Sequence, residues 1–175
     1  MEIQFCPLSR ADFPLLQRWL LEPHVDAWWH QPLDLAGLES KYGPRIDGLE
    51  PTHIFLILAD TQPIGWIQWY RWTDYPEHAT QLQTESTCAG IDLAIGEKAS
   101  LGKGLGSQII RHFINQFVFV HTEISGVVCD PEEGNVRSVR AFLKAGFVVR
   151  DIVKLKGETM NRKIVVLARN CHVSG

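Results

Sequence analysis

The chain has 175 residues and 45% hydrophobic content, enough to close a core without staples, so one compact domain over residues 1–175 is expected. A net charge of -3, a pI near 6.1 and no basic run exclude a nucleic-acid footprint, which needs Lys and Arg in clustered excess. Cys6, Cys88, Cys129 and Cys171 show neither the CxxC pairs of a zinc site nor the density of a disulfide scaffold; they read as reduced cytosolic thiols, and no metal is expected.

In chain order, Ile3 to Pro7 reads as a strand. A helix then starts at Ser9-Arg10-Ala11-Asp12, with an apolar stripe of Phe13, Leu16, Trp19 and Leu20 and with Ser9 and Asp12 spaced as a capping box. Pro23 and Pro32 bracket His24 to Gln31, which places Trp28 and Trp29 on a short helical turn or loop. Asp34 to Tyr42 reads as a helix stopping at Gly43-Pro44, and His53 to Ala59 with Ile64 to Trp72 as a hairpin turning at Asp60 to Pro63. Thr73 to Thr87 is a polar stretch. The run Cys88 to Ile95 is a strand, followed by a glycine loop and a helix over Ser107 to Phe119. Ser125 to Cys129 is a strand, Asn135 to Ala145 a helix ended by Gly146, and Phe147 to Val153 and Lys163 to Ala168 are strands. This order indicates an α/β or α+β domain with a mixed sheet. The start Met1-Glu2-Ile3-Gln4 has no basic region followed by an apolar stretch, and no run of about eighteen apolar residues occurs, so a cytoplasmic protein is expected, neither secreted nor membrane-bound.

The loop Leu101-Gly102-Lys103-Gly104-Leu105-Gly106 has the composition of an anion cradle. Glycines let several N–H groups approach a diphosphate, the helix from Ser107 adds its N-terminal N–H groups, and Lys103 adds a charge. Walker A spacing fails because Lys103 is followed by Gly104, and the Rossmann fingerprint fails because its third glycine falls on Ser107.

Gly90-Ile91-Asp92-Leu93, the glycine loop, Asp130-Pro131 and the stretch Asn135 to Phe147 together resemble the GNAT acetyltransferase superfamily. His24 to Trp29 and Gly65 to Tyr70 extend the resemblance to the aminoglycoside 6′-N-acetyltransferases. The resemblance implies a twisted mixed sheet flanked by helices, with acetyl-CoA held where the strands Cys88 to Ile95 and Ser125 to Cys129 splay apart. It also implies that Asn135 contacts the pantetheine or cysteamine arm and that the amides of Leu93, Ala94 and Ile95 hold the acetyl carbonyl and its oxyanion.

Acetyl transfer needs a neutral amine, and sugar amines are largely protonated at neutral pH, so a carboxylate must accept the proton. Asp92 is the candidate base. Aminoglycosides are polycations rich in hydroxyls, so carboxylates and aromatic walls suit them. The candidates are Trp28, Trp29, Tyr42, Gln68, Tyr70, Glu85, Asp92 and Asp130, and one of the two Trp is expected to pack in the core instead. Asp74, Glu77, Glu132 and Glu133 add longer-range attraction. His24, His30, His78, His112 and His121 are read as structural. The usual GNAT general acid, a Tyr, is replaced by Phe142, and Tyr70 or water is left to serve. A monomer or homodimer is expected. A siderophore-type hydroxylamine N-acyltransferase, a peptide N-acetyltransferase and a non-catalytic acyl-CoA-binding module stay open as alternatives.

Overall fold

Phe13, Leu16, Trp19 and Leu20 are all buried in α1 (Phe13–Leu20), behind a 3₁₀ turn at Arg10–Asp12. Asp12 Oδ2 accepts from the Ser9 N–H at 2.9 Å and from its hydroxyl at 2.7 Å, fixing that start. The computed structural model describes residues 1–30 and 34–169; Gln31, Pro32 and Cys171, named above, lie outside them. The chain forms two compact units, Met1–Tyr70 with Asp92–Ile109, and Arg71–Ile91 with Ile110–Gly175.

The first unit holds β1 (Ile3–Pro7), α1, α2 (Pro23–Trp29), α3 (Leu35–Ile46), β2 (His53–Ala59) and nearly all of β3 (Gln62–Arg71). The last half of β4 (Cys88–Ile95) and the start of α5 (Leu105–Phe113) complete it. β1 runs antiparallel to β2 and β2 to β3; the second pair turns at Asp60 and Thr61, whose φ values of 46° and 70° suit a two-residue hairpin. The register slips beside Ile57, and the Ile64 carbonyl instead accepts from the N–H groups of Gly96 at 2.8 Å and Glu97 at 3.0 Å. At Gly65 a β-carbon would lie 2.1 Å from the Ala94 carbonyl oxygen, so no side chain fits where β3 approaches β4. Leu8, Leu16, Trp19, Leu38, Tyr42 and Trp66 lie in the core cluster of this unit.

α3 does not stop at Gly43-Pro44 as expected. Pro44 removes one helical N–H, yet Asp47 N–H still reaches the Gly43 carbonyl at 2.9 Å, and the helix runs on to Ile46. Arg45 is thereby kept on the last turn of α3.

The second unit holds the first half of β4, α4 (Pro76–Leu82), the rest of α5 with a π-turn at Ile114–Val118, β5 (Gly126–Cys129), α6 (Val136–Ala145), β6 (Val148–Val153) and β7 (Arg162–Ala168). Trp72, expected to end the strand before it, opens the 3₁₀ turn Trp72–Asp74, and α4 lies within the polar stretch Thr73 to Thr87; only Leu82 of α4 is buried, so no apolar periodicity marks the helix. β4 and β5 pair in parallel at Cys88↔Gly126 and Ala89↔Val127, while β5 to β7 and β6 to β7 are antiparallel. Asn135 caps α6, its Oδ1 accepting from Ser138 N–H at 3.1 Å, and Gly146 closes it at φ 106°. The strands hydrogen-bond in the order β1-β2-β3-β4-β5-β7-β6, a mixed seven-stranded sheet.

Candidate functional site

Asp92 interrupts the apolar run of β4 and is half-buried, where Cys88 to Ile91 before it are buried. Its Oδ2 accepts from Gln68 Nε2 at 2.8 Å, and Gln68 Oε1 accepts from Arg45 Nη1 at 2.7 Å. Arg45 Nε donates to Glu50 Oε2 at 3.0 Å, and its guanidinium lies 5.5 Å from the centre of the Tyr42 ring. β4, β3 and α3 thus bring Asp92, Gln68, Tyr42 and Arg45 together. Of these, sequence reading missed Arg45, because the helix that carries it was expected to end before it.

Charge and burial shape this group. Tyr42 is fully buried, and burial pushes its hydroxyl up to about 12, opposed by the Arg45 charge and reinforced by that of Asp92. Burial lowers the Lys41 ammonium, and the neighbouring Arg45 lowers it further, while Asp92 and Glu50 oppose both. Gln68, expected as a wall, is only 8% exposed and bonds protein at both ends of its amide.

On α2, Trp29 packs edge-on against Trp66 with ring centres 5.0 Å apart, while Trp28 is exposed, so one of the pair packs inward and the other meets solvent. His24 Nε2 donates to the Ile95 carbonyl at 3.0 Å, a structural bond at the end of β4. Tyr70 is half-buried at the end of β3. Leu93, Ala94 and Ile95 follow Asp92 along β4, all half-buried.

The glycine loop fits a diphosphate. Gly102 and Gly104 have φ of 76° and 75°, a region that side chains avoid, and a β-carbon at either would meet nothing within 4 Å. Gly102, Lys103 and Gly104 are exposed, α5 opens at Leu105, and the buried Ser107 donates through its hydroxyl to the Gly104 carbonyl at 3.2 Å. N–H groups at a helix N-terminus are what an anion needs.

In the second unit, Asp130 Oδ2 accepts from His78 Nε2 at 2.9 Å, and the Asp130 backbone carbonyl accepts from Arg162 Nη1 at 3.2 Å. The His78 ring stacks on Trp72 with centres 5.3 Å apart, and Trp72 Nε1 donates to the Val128 carbonyl at 3.1 Å. The bond to Asp130 raises the His78 pKa above its usual value, against the lowering effect of burial. His78, read from sequence as structural, is a partner of a candidate site residue; α4 holds it there, and the missing apolar stripe of α4 hid that. Glu85 is exposed. Phe142 is buried on α6, edge-on to Phe147 at 5.0 Å, and offers no proton. Among the described residues no three His, Cys, Asp or Glu side chains converge as metal ligands do.

A family model described as an acetyltransferase (GNAT) domain matches residues 9–155. Aminoglycoside N(6′)-acetyltransferase type 1 of Klebsiella pneumoniae is 27% identical over 143 residues, which are 80% of this chain and 71% of that protein. A kanamycin resistance protein of Rhizobium radiobacter is 34% identical over 65 residues, 37% of this chain and 59% of the relative. The crystal structure of the aminoglycoside acetyltransferase AAC(6′)-Ib with coenzyme A and kanamycin aligns at a TM-score of 0.85 and 26% identity, covering 96% of this chain and 95% of the other.

Proposed function

Because this chain belongs to the GNAT acetyltransferase family, we propose that it transfers the acetyl group of acetyl-CoA to the 6′-amine of aminoglycosides. The observation that carries the reading is Asp92, a half-buried carboxylate held as a hydrogen-bond acceptor by Gln68 on the strand that precedes the glycine loop. Acetylation removes the positive charge at that amine, which is the chemical basis of resistance to these antibiotics.

Asp92 takes a proton from the substrate ammonium, directly or through water, and so frees a nitrogen lone pair. That pair attacks the thioester carbonyl, forming the C–N bond. The backbone N–H groups of Leu93, Ala94 and Ile95 are assigned to the oxyanion of the tetrahedral intermediate. Collapse breaks the C–S bond, and the nitrogen, which carries an extra proton after the attack, gives it to water to leave a neutral amide. A thiol pKa of about 8.5 allows departure as thiolate, so Phe142 need donate nothing; Tyr70 or water supplies the proton afterwards. Leu101, Gly102, Lys103, Gly104, Leu105, Gly106 and Ser107 are assigned to the diphosphate, and Asn135 to the pantetheine arm. Trp28, Trp29, Tyr70, Glu85 and Asp130 are assigned to the cationic sugar, whereas Tyr42 is fully buried and Gln68 bonds protein at both ends of its amide, so neither is a wall for it.

Thiol release from acetyl-CoA tests this against kanamycin, tobramycin, amikacin and gentamicin, beside hydroxylysine and a short peptide. Turnover with the aminoglycosides is expected, and Asp92→Asn should lower kcat about 100-fold or more with acetyl-CoA affinity retained. Turnover confined to hydroxylysine or the peptide would overturn the substrate assignment. Undiminished turnover in Asp92→Asn would overturn the base.

A further inference from the structure

Gln68 stands between two side chains of fixed hydrogen-bonding character. Arg45 has only donors, and Asp92 as a carboxylate has only acceptors. An amide has one end of each kind. With Arg45 Nη1 on Oε1 at 2.7 Å, the NH₂ end is committed to Asp92 Oδ2 at 2.8 Å. The reversed amide would oppose NH₂ to guanidinium and oxygen to carboxylate, leaving two repulsive contacts for two attractive ones. Burial of Gln68 keeps water from competing for either end. Arg45 is fixed in turn by Glu50 and by the Tyr42 ring, and its side chain is only 15% exposed.

We propose that Arg45 and Gln68 are positioning residues for the base: the relay sets the rotation of the Asp92 carboxylate and holds it ionised, ready to accept the proton of the substrate ammonium. This rests on the reading of Asp92 as base. Gln68 then acts through Asp92 and not as a wall for the sugar. Charged and titratable groups around Asp92 in this unit include Arg45, Lys41 and Tyr42 on α3, with Glu50 just beyond it behind Arg45. Losing the Gln68 donor removes a hydrogen bond that is stronger to the ionised than to the protonated carboxyl, so protonation of Asp92 becomes easier.

The test uses Gln68→Met, Gln68→Glu, Arg45→Met and Arg45→Lys, each checked for folding by circular dichroism. Two readouts are taken against pH: the acid limb of kcat/KM, and the carbon chemical shift of the Asp92 carboxyl in the free enzyme. In Gln68→Met and Arg45→Met both midpoints should rise by about one pH unit, with acetyl-CoA affinity within about twofold of the parent. Gln68→Glu keeps the Arg45 bond but turns an oxygen toward Asp92 and should raise the midpoints further. Arg45→Lys should lie nearer the parent. Midpoints that stay in place in a folded Met variant, even with activity lowered evenly at all pH, overturn the proposal, since a packing or sugar-binding role has that effect. If Gln68→Met does not fold, Arg45→Met tests the same relay. Should the carboxyl midpoint rise while Asp92→Asn keeps its turnover, the relay stands and the base assignment falls.

Discussion

His78 donates from Nε2 to Asp130 Oδ2 while its ring lies on Trp72, and the bond draws a proton onto the imidazole. Its pKa is raised on folding. The stabilisation is therefore complete below the unfolded value of about 6.5 and is lost as pH rises through the higher folded value. With the His78 side chain 38% exposed, solvent screening limits the effect to about 0.5 kcal/mol or less. Urea midpoints measured from about pH 5.5 to 8 should fall less steeply in His78→Asn than in the parent, and Asp130→Asn should match it. Equal slopes in parent and variants would show that the pair contributes no pH dependence. Residues of this kind differ in how well a sequence exposes them. Asp92 is visible as a charge breaking an apolar run. Arg45 and His78 are ordinary residues until the ends of their helices are known, and both helices escape the sequence pattern for physical reasons: one continues past a proline, the other lacks an apolar stripe.

The glycine loop and α5 act as one element. Gly102 and Gly104 hold φ values that cost a side-chain-bearing residue about 1 kcal/mol or more each, yet their β-carbon positions are open. The variant Gly102→Ala/Gly104→Ala should therefore fold with a modest loss of Tm. With the diphosphate assigned to this loop, the added methyl groups should crowd it, and coenzyme A affinity by calorimetry should drop about tenfold. A double variant that binds coenzyme A like the parent would remove the loop from the donor site. Most elements could be read from sequence because burial imposes a period: α1 shows four buried positions at helical spacing, and β4 a continuous apolar run. The π-turn at Ile114–Val118 left no such trace, since its residues continue the apolar pattern of α5.

For the whole molecule, the net charge of -3 favours the approach of a polycation. Raising ionic strength from about 0.02 to 0.5 M should lower kcat/KM for kanamycin several-fold while kcat changes little. A kcat/KM insensitive to salt would mean that surface charge does not guide this substrate. The fold class was legible from the alternation of strand and helix signals, and the candidate diphosphate loop from its glycines. The order β5-β7-β6 was not, because nothing local in the last two strands states which of them lies inside.

The boundary between the two units falls within β4, between Ile91 and Asp92, and each unit is assembled from two separated stretches of chain. No single cut or crossover point therefore delivers either unit whole. Gene shuffling among relatives would have to exchange residues 71–91 and 110 onward together, with three junctions, to transplant one unit intact. A chimera joined once inside β4 splits both units, and should be recovered folded far less often than one that respects all three junctions.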